Sequence, residues 1–415
     1  MNFEDYNTLL VQEIGNKVGP TAPVITPSAS YGYKDAQEAQ NIFSGASKLP
    51  LYARVGNPTN AKLEAVVTKI ENGFGSIATS SGMGAISMVL NAILNCGDEV
   101  LCIGGFFGGT YTLVDETLKR FGVKSSFCEV DDFQYIEEKL KSNIKLIIIE
   151  SVGNPGLRLP DIKKIADKCH EYETIFVIDN TTTPLLVRPL ELGADIVVHS
   201  STKNMSGHSA SLGGIAVFRA VNNKKDKLLN TKYKDLHKII EKAGAASLIA
   251  ICKKRAMRDI GMSANAFGSF LTLLGLETLA LRIKRVNESV AKIAKILNEK
   301  LPKDISVNHP SLEKSKDFKN YKMFFKDGCG PILTIDCITQ NRAFKLLDSL
   351  SIVTQTANIG DNRTLALHMK STIYRDFDGK SRKFLGITDG LIRVSIGLEN
   401  PDDIIQDFLK ASLHV

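Results

Sequence analysis

The sequence has no apolar run approaching the ~18 residues of a membrane span, no internal repeat and no low-complexity tract. These absences exclude a helical membrane protein, a solenoid and a compositionally disordered chain. The amino terminus, Met1-Asn2-Phe3-Glu4-Asp5, is acidic where a secretory signal needs positive charge, so a cytoplasmic location is expected. Cysteines are few, at 96, 102, 128, 169, 252, 329 and 337, with no CxxC pair and no metal-ligand spacing. They read as reduced, mostly buried thiols. His199 and His208 have no Cys partner or carboxylate at a ligand spacing, so no metal site is expected. Charge of one sign is also missing: 52 Lys plus Arg against 45 Asp plus Glu leaves +7 over 415 residues, which does not mark a nucleic-acid binder. The one basic concentration, lysines 224, 225, 227, 232, 234, 238 and 242, is interleaved with acidic and apolar residues and reads as a solvated helix face.

What is present is an ordinary globular composition, 43% hydrophobic and 23% charged, at a length that suggests two to three domains. From Thr59 onward, short apolar runs alternate with helical patterns, the form of stacked βαβ units. Strands are expected at 76–79, 100–103, 146–149, 175–178, 196–198 and 215–218, each continuous enough to be buried on both faces of a mostly parallel sheet. Between them lie amphipathic helices such as 60–71, where Leu63, Val66, Val67 and Ile70 form one stripe. After about residue 225 the texture changes. A long helix is expected where Ile283, Val286, Val290, Ile293, Leu297 and Leu301 step by three or four, followed by a smaller α+β unit with strands at 332–335 and 391–396. The expected organisation is an arm over 1–55 without clear periodicity, a first domain over 56–254 and a second over 255–415.

Several residues fall on the carboxyl edge of the expected sheet, where open α/β sheets bind ligands. Ser80-Ser81-Gly82-Met83-Gly84 sits between a strand and an apolar helix, either as an anion site made by helix-start N–H groups or as a plain helix cap. Asp179 ends one strand, as a functional carboxylate or as a cap for the segment Asn180 to Thr183, and Asn154 succeeds another strand in a Gly-Asn-Pro turn. Lys203 lies just past the strand at 196–198 within Ser200-Ser201-Thr202-Lys203. Gly73-Phe74-Gly75 lies between a helix and the next strand, the reverse of a dinucleotide fingerprint, and reads as a helix stop. An anion cradle, a strand-end carboxylate and a hydroxyl-flanked lysine on one edge are the parts that pyridoxal phosphate needs.

With these motifs the chain resembles the Cys/Met-metabolism family of pyridoxal-phosphate enzymes, which includes cystathionine synthases and lyases, methionine γ-lyases and O-acylhomoserine sulfhydrylases. The resemblance runs from Tyr52 to Arg393. It implies an aminotransferase-like (fold type I) α/β domain, a mostly parallel sheet with helices on both faces, a smaller α+β C-terminal domain, and a homotetramer built from dimers with shared sites. It further implies that Lys203 is the cofactor-linked lysine and Asp179 the partner of the pyridine nitrogen. Ser81, Gly82 and Met83, with Ser200 and Thr202, correspond to the phosphate site. Asn154 matches the residue near the cofactor's phenolic oxygen. Tyr52 and Arg54 match the pair that reaches the phosphate of the neighbouring subunit, and Arg393 matches the arginine that grips the substrate carboxylate.

Departures from the family pattern point to a branch. Phe107 stands where a tyrosine is usual, so a ring can still stack on the cofactor without a phenolic hydroxyl; Gly109 stands where methionine γ-lyases carry cysteine. Asn358-Ile359-Gly360-Asp361 resembles the Asn-Gly-Asp pattern common in sulfhydrylases. The expected activity is γ-replacement on O-acetylhomoserine by sulfide or methanethiol, giving homocysteine or methionine and acetate. Cystathionine γ-synthase is the alternative, as is a sulfhydrylase fed by a protein thiocarboxylate carrier docking near the lysines at 224–242. The expected partners are thus an amino-acid substrate and a thiol or sulfide, with neither nucleic acid nor membrane.

Overall fold

The structure, a computed structural model, describes residues 1–415 apart from 48, 143, 223–225 and 227–231. The expected apolar runs become strands of one seven-stranded sheet: β1 (Gly75–Thr79), β2 (Glu99–Ile103), β4 (Leu146–Glu150), β5 (Ile175–Asp179), β6 (Ile196–His199) and β7 (Gly214–Phe218), joined by β3 (Lys124–Cys128). The order is β1-β7-β6-β5-β4-β2-β3, parallel except that β7 runs against both neighbours. Every position of β4, β6 and β7 is buried, as expected for strands covered by helices on both faces. β3 escaped the sequence reading because it is an edge strand whose Lys124-Ser125-Ser126 start is polar.

A second sheet contains β8 (Ser306–Asn308), β9 (Ile332–Asp336), β10 (Thr354–Gln355), β11 (Leu365–His368) and β12 (Leu391–Ser395), mostly antiparallel in the order β10-β11-β12-β9-β8. The helix Leu279–Lys300 joins the two units. Its first turns pack Leu279, Ala280 and Ile283 with the helix Pro58–Ile70, and its later turns bury Val290, Ile293 and Leu297 under the second sheet.

One expectation is corrected at the amino terminus. Residues 3–14, read as part of an arm without periodicity, form the helix Phe3–Ile14, closed by a reciprocal Asn2/Asp5 capping box. Tyr6, Leu10 and Ile14, four apart, are buried in the same core as Leu63 and Leu276. Phe3 and Leu9 pack partly buried beside these three, so one face of the helix is apolar. A second short helix, Ala36–Ser44, is capped by Asp35 and buries Ile42, while Val18, Val24, Phe43, Leu49 and Tyr52 in the same segment are exposed. Among the described residues, no single helix is long and apolar enough to cross a membrane, and no cluster of side chains could hold a metal ion.

Candidate active site

β1, β4, β5 and β6 end at one edge of the large sheet, and the turns beyond them enclose a cavity of about 250 Å³. Ser81, Gly82, Met83, Phe107, Asn154, Asp179, Ser200, Thr202 and Lys203 line it, and Arg393 enters from β12 of the second unit.

The turn after β1 serves both roles that its sequence left open. Ser81 caps the helix Gly82–Ile93, its Oγ accepting from Gly84 N–H at 3.0 Å, while its carbonyl accepts from Ala85 N–H at 3.0 Å. The N–H groups of Gly82 and Met83 remain at the helix start, where partial positive charge favours an anion. Gly82 has to be glycine: a Cβ there would lie 2.6 Å from Ser200 Cβ and 2.9 Å from its Oγ. Ser200 is fixed in turn by its own N–H, which donates to Thr181 Oγ1 at 2.7 Å. The Thr202 hydroxyl donates to Gly213 O at 3.1 Å and accepts from Gly213 N–H at 3.0 Å, so its free capacity is as an acceptor unless it turns.

Asp179 accepts from Thr181 N–H at 3.0 Å. Burial pushes its carboxyl up; the Thr181 hydrogen bonds and the His199 ring pull it back down only in part. Directly across the ladder, in register with Asp179, stands Glu150 at the end of β4. Its two oxygens accept from Phe107 N–H at 2.7 Å and Asn154 N–H at 2.8 Å, so one side chain ties the turn carrying the aromatic ring to the turn carrying Asn154. Burial, and then the neighbouring Asp179, push the Glu150 carboxyl well above the usual range. Gly109 gives the Phe107 ring its place, since a Cβ at 109 would lie 2.7 Å from Phe107 Cε1.

Lys203 Nζ donates to Asn358 Oδ1 at 2.5 Å. Burial, and then the Arg393 charge, lower the amine to about 8. Arg393 is 3% exposed, and its hydrogen bonds are three contacts of 3.3 Å to neutral acceptors: Asn154 Oδ1, Ala357 O and Asn358 O. Burial lowers the guanidinium to about 10. A buried cation held by long neutral contacts is suited to a planar carboxylate from outside.

Tyr52 and Arg54 are not brought to this cavity. Tyr52 is exposed, Arg54 stacks 5.8 Å from its ring centroid, and Arg54 also donates to Arg258 O. Of the basic stretch, Lys224, Lys225 and Lys227 lie outside the described residues. Lys234, Lys238 and Lys242 are exposed, whereas Lys232 donates to Ile144 O at 3.1 Å and Thr174 Oγ1 at 2.8 Å and is held inward. Sequence reasoning passed over Glu150 and Thr181. The strand-end rule that singled out Asp179 applies equally to Glu150, which closes the apolar run Leu146–Ile149 one strand over. Thr181 carried no comparable signal, because its role comes from reaching across to the β6 turn.

The family profile described as Cys/Met metabolism PLP-dependent enzyme matches residues 7–413. A homocysteine synthase of Schizosaccharomyces pombe is 34% identical over 420 residues, covering 99% of this chain and 98% of its own. An O-acetyl-L-homoserine sulfhydrylase of Leptospira meyeri is 33% identical, covering 92% and 90%. Among solved structures, a Campylobacter jejuni protein named for O-acetylhomoserine (thiol)-lyase activity, with an N'-pyridoxyl-lysine-5'-monophosphate, superposes with a TM-score of 0.88 at 29% identity, covering 100% of both chains.

Proposed function

This chain belongs to the Cys/Met metabolism family of pyridoxal-phosphate-dependent enzymes, and from that premise we propose that it exchanges the acetoxy group of O-acetylhomoserine for sulfide, releasing homocysteine and acetate. The carrying observation is one cavity in which a lysine, a strand-end carboxylate, a helix-start anion cradle and a buried guanidinium bonded to neutral acceptors meet.

The residues present fit the cofactor at three points. Gly82 and Met83 N–H groups with Ser81, Ser200 and Thr202 suit its phosphate, Asp179 its ring nitrogen and Lys203 its aldehyde carbon. When bound, pyridoxal phosphate supplies an electron-withdrawing ring conjugated to the substrate's α-carbon. The chain's own residues supply the rest. Lys203, lowered to about 8, has the neutral form available near neutral pH to take the α-proton. Asp179, pushed up by burial, returns to its ionised form when a cation faces it and so keeps the ring nitrogen protonated. Arg393, hydrogen-bonded to Asn154, would clamp the α-carboxylate, and the Phe107 ring, which lines the same cavity, would stack on the bound cofactor.

The branch is supported by the same residues. Acetate is a weak base that departs as an anion without an acid's help, whereas a lyase expels a more basic thiolate. Phe107, which has no hydroxyl to donate, suits the first. Asn358, hydrogen-bonded to Lys203, is assigned to the substrate side of the site. Tyr52 and Arg54, exposed and off this cavity, suit a dimer in which each reaches the neighbour's phosphate, with two dimers forming a tetramer in the cytoplasm. The deciding experiment supplies purified protein and pyridoxal phosphate with O-acetylhomoserine and equimolar sulfide and cysteine, and identifies the product by mass spectrometry. Homocysteine supports the proposal; cystathionine moves the chain to the synthase branch. Turnover only with a thiocarboxylate carrier protein refutes free sulfide as donor.

A further inference from the structure

Through Asn358, Lys203 is linked to two further side chains, Ser209 and Asp361, that none of the roles above uses. Asn358 accepts from Lys203 through Oδ1 at 2.5 Å and donates through Nδ2 to Ser209 Oγ at 2.8 Å. The Ser209 hydroxyl donates to Asp361 Oδ2. Asp361 is buried, and its other oxygen accepts from Arg363 N–H at 2.8 Å and from the Arg363 guanidinium at 3.1 Å.

The direction of every bond in this chain is set by Asp361. A carboxylate only accepts, so Ser209 has to spend its one proton on it, and towards Asn358 its oxygen can then only accept. Asn358 must present its NH₂ to Ser209, which leaves its carbonyl oxygen facing Lys203. The backbone supports the same arrangement. Ser209 is held at φ +54, a conformation that disfavours a residue with a Cβ. The two turns are locked together where Gly360, at φ +66, has space for its Cα only: a Cβ would lie 2.7 Å from Asn204 N. Asn362 N–H closes the contact on Gly207 O at 2.9 Å.

We propose that Ser209 and Asp361 are positioning residues that fix the Asn358 amide with its oxygen toward Lys203, giving the lysine amine a permanent acceptor whenever it is not joined to the cofactor. The inference rests on the assignment of Lys203 as the cofactor-linked lysine. The other charged groups of the cavity are Arg393 from β12, Asp179 from β5 and Glu150 from β4; of these Arg393 touches the relay, through the Asn358 backbone carbonyl at 3.3 Å and not through the Asn358 amide.

The test tracks how fast full-length, cofactor-free protein captures pyridoxal phosphate as pH rises, with borohydride fixation and mass spectrometry of the Lys203 peptide. The midpoint reports the amine, expected at about 8 in the parent chain. Asp361→Asn lets Ser209 donate to Asn358 instead, which turns the amide and sets NH₂ against Lys203; the midpoint should fall by about one pH unit. Ser209→Ala frees the amide and should lower it by less. Asn358→Asp should raise it. Unchanged midpoints in Asp361→Asn and Ser209→Ala, in proteins that retain the parent's thermal unfolding, overturn the relay, as does a fall in Asn358→Asp. Lys203→Ala that still captures the cofactor as the parent does would instead overturn the assignment on which the relay rests.

Discussion

Glu150→Gln separates two effects that act in opposite directions on the fold. The glutamine is the same size, but its amide offers one acceptor where the carboxyl group has two, and both oxygens are in use, on Phe107 N–H at 2.7 Å and Asn154 N–H at 2.8 Å. Whichever way the amide faces, its NH₂ meets one of these two N–H groups. Leaving one such donor unpaired costs about 1–3 kcal/mol. Against this stands relief of the repulsion between Glu150 and Asp179, which counts only where both are ionised. Because burial and Asp179 push the Glu150 carboxyl well up, the folded chain binds a proton there that the unfolded chain has already released. The stability owed to that proton is complete below the ordinary carboxylate range and is lost as pH rises from there towards the raised value. Gln does not titrate. The variant should therefore be less stable than the parent where the folded and the unfolded parent both hold the proton, and the deficit should shrink as pH rises above the ordinary carboxylate range. Urea unfolding of the cofactor-free protein at several pH values measures the difference. A deficit that widens with rising pH would show that Glu150 folds as a stabilised carboxylate and would refute the reasoning.

The other perturbations are simpler to read. Lys203→Ala should abolish turnover, and substantial multiple turnover by the variant would remove Lys203 as the essential base. Arg393→Lys replaces a planar two-pronged donor by a point charge and should raise KM for O-acetylhomoserine roughly 10- to 100-fold with a smaller change in kcat, measured by steady-state kinetics. Gly82→Ala puts a methyl group 2.6 Å from Ser200 Cβ and should lower pyridoxal-phosphate affinity at least roughly tenfold by equilibrium titration, through the displaced cradle. Unchanged affinity would place the phosphate elsewhere.

How much of this was legible in the chain depends on range. Strands β4, β5 and β6 are continuous apolar runs rich in β-branched residues, and the residues at or just past their ends were visible as Asn154, Asp179 and Lys203 because strand ends and ligand edges coincide in this fold class. The helix Phe3–Ile14 was hidden because Val11, exposed next to Leu10, blurs its buried stripe, and β3 because an edge strand needs no apolar run on its open side. Contacts made across the fold left no local trace. Nothing in the sequence around Glu150 says that its two oxygens hold turns 43 residues before it and 4 residues after it. Nothing around Ser209 says that it faces Asp361, 152 residues away.

The ionisable groups of the cavity share a further property that no single motif carries. Lys203 and Arg393 are lowered, Asp179 and Glu150 are raised, and in each case burial is the largest cause. A site whose charges were mutually paired would show the reverse, carboxylates lowered and cations raised, as in the Glu99–Lys139 pair elsewhere on the surface of the chain. Every tenfold loss of proton affinity at a buried cation corresponds to about 1.4 kcal/mol that a suitable counter-charge can restore. The cavity is thus complementary in charge to a ligand pair that brings a cationic ring to Asp179 and a carboxylate to Arg393. Glu150 is the exception: both its oxygens are already taken by backbone N–H groups, so no ligand is needed to satisfy it. That difference divides two buried carboxyl groups on adjacent strands into one that awaits a ligand and one that holds the walls.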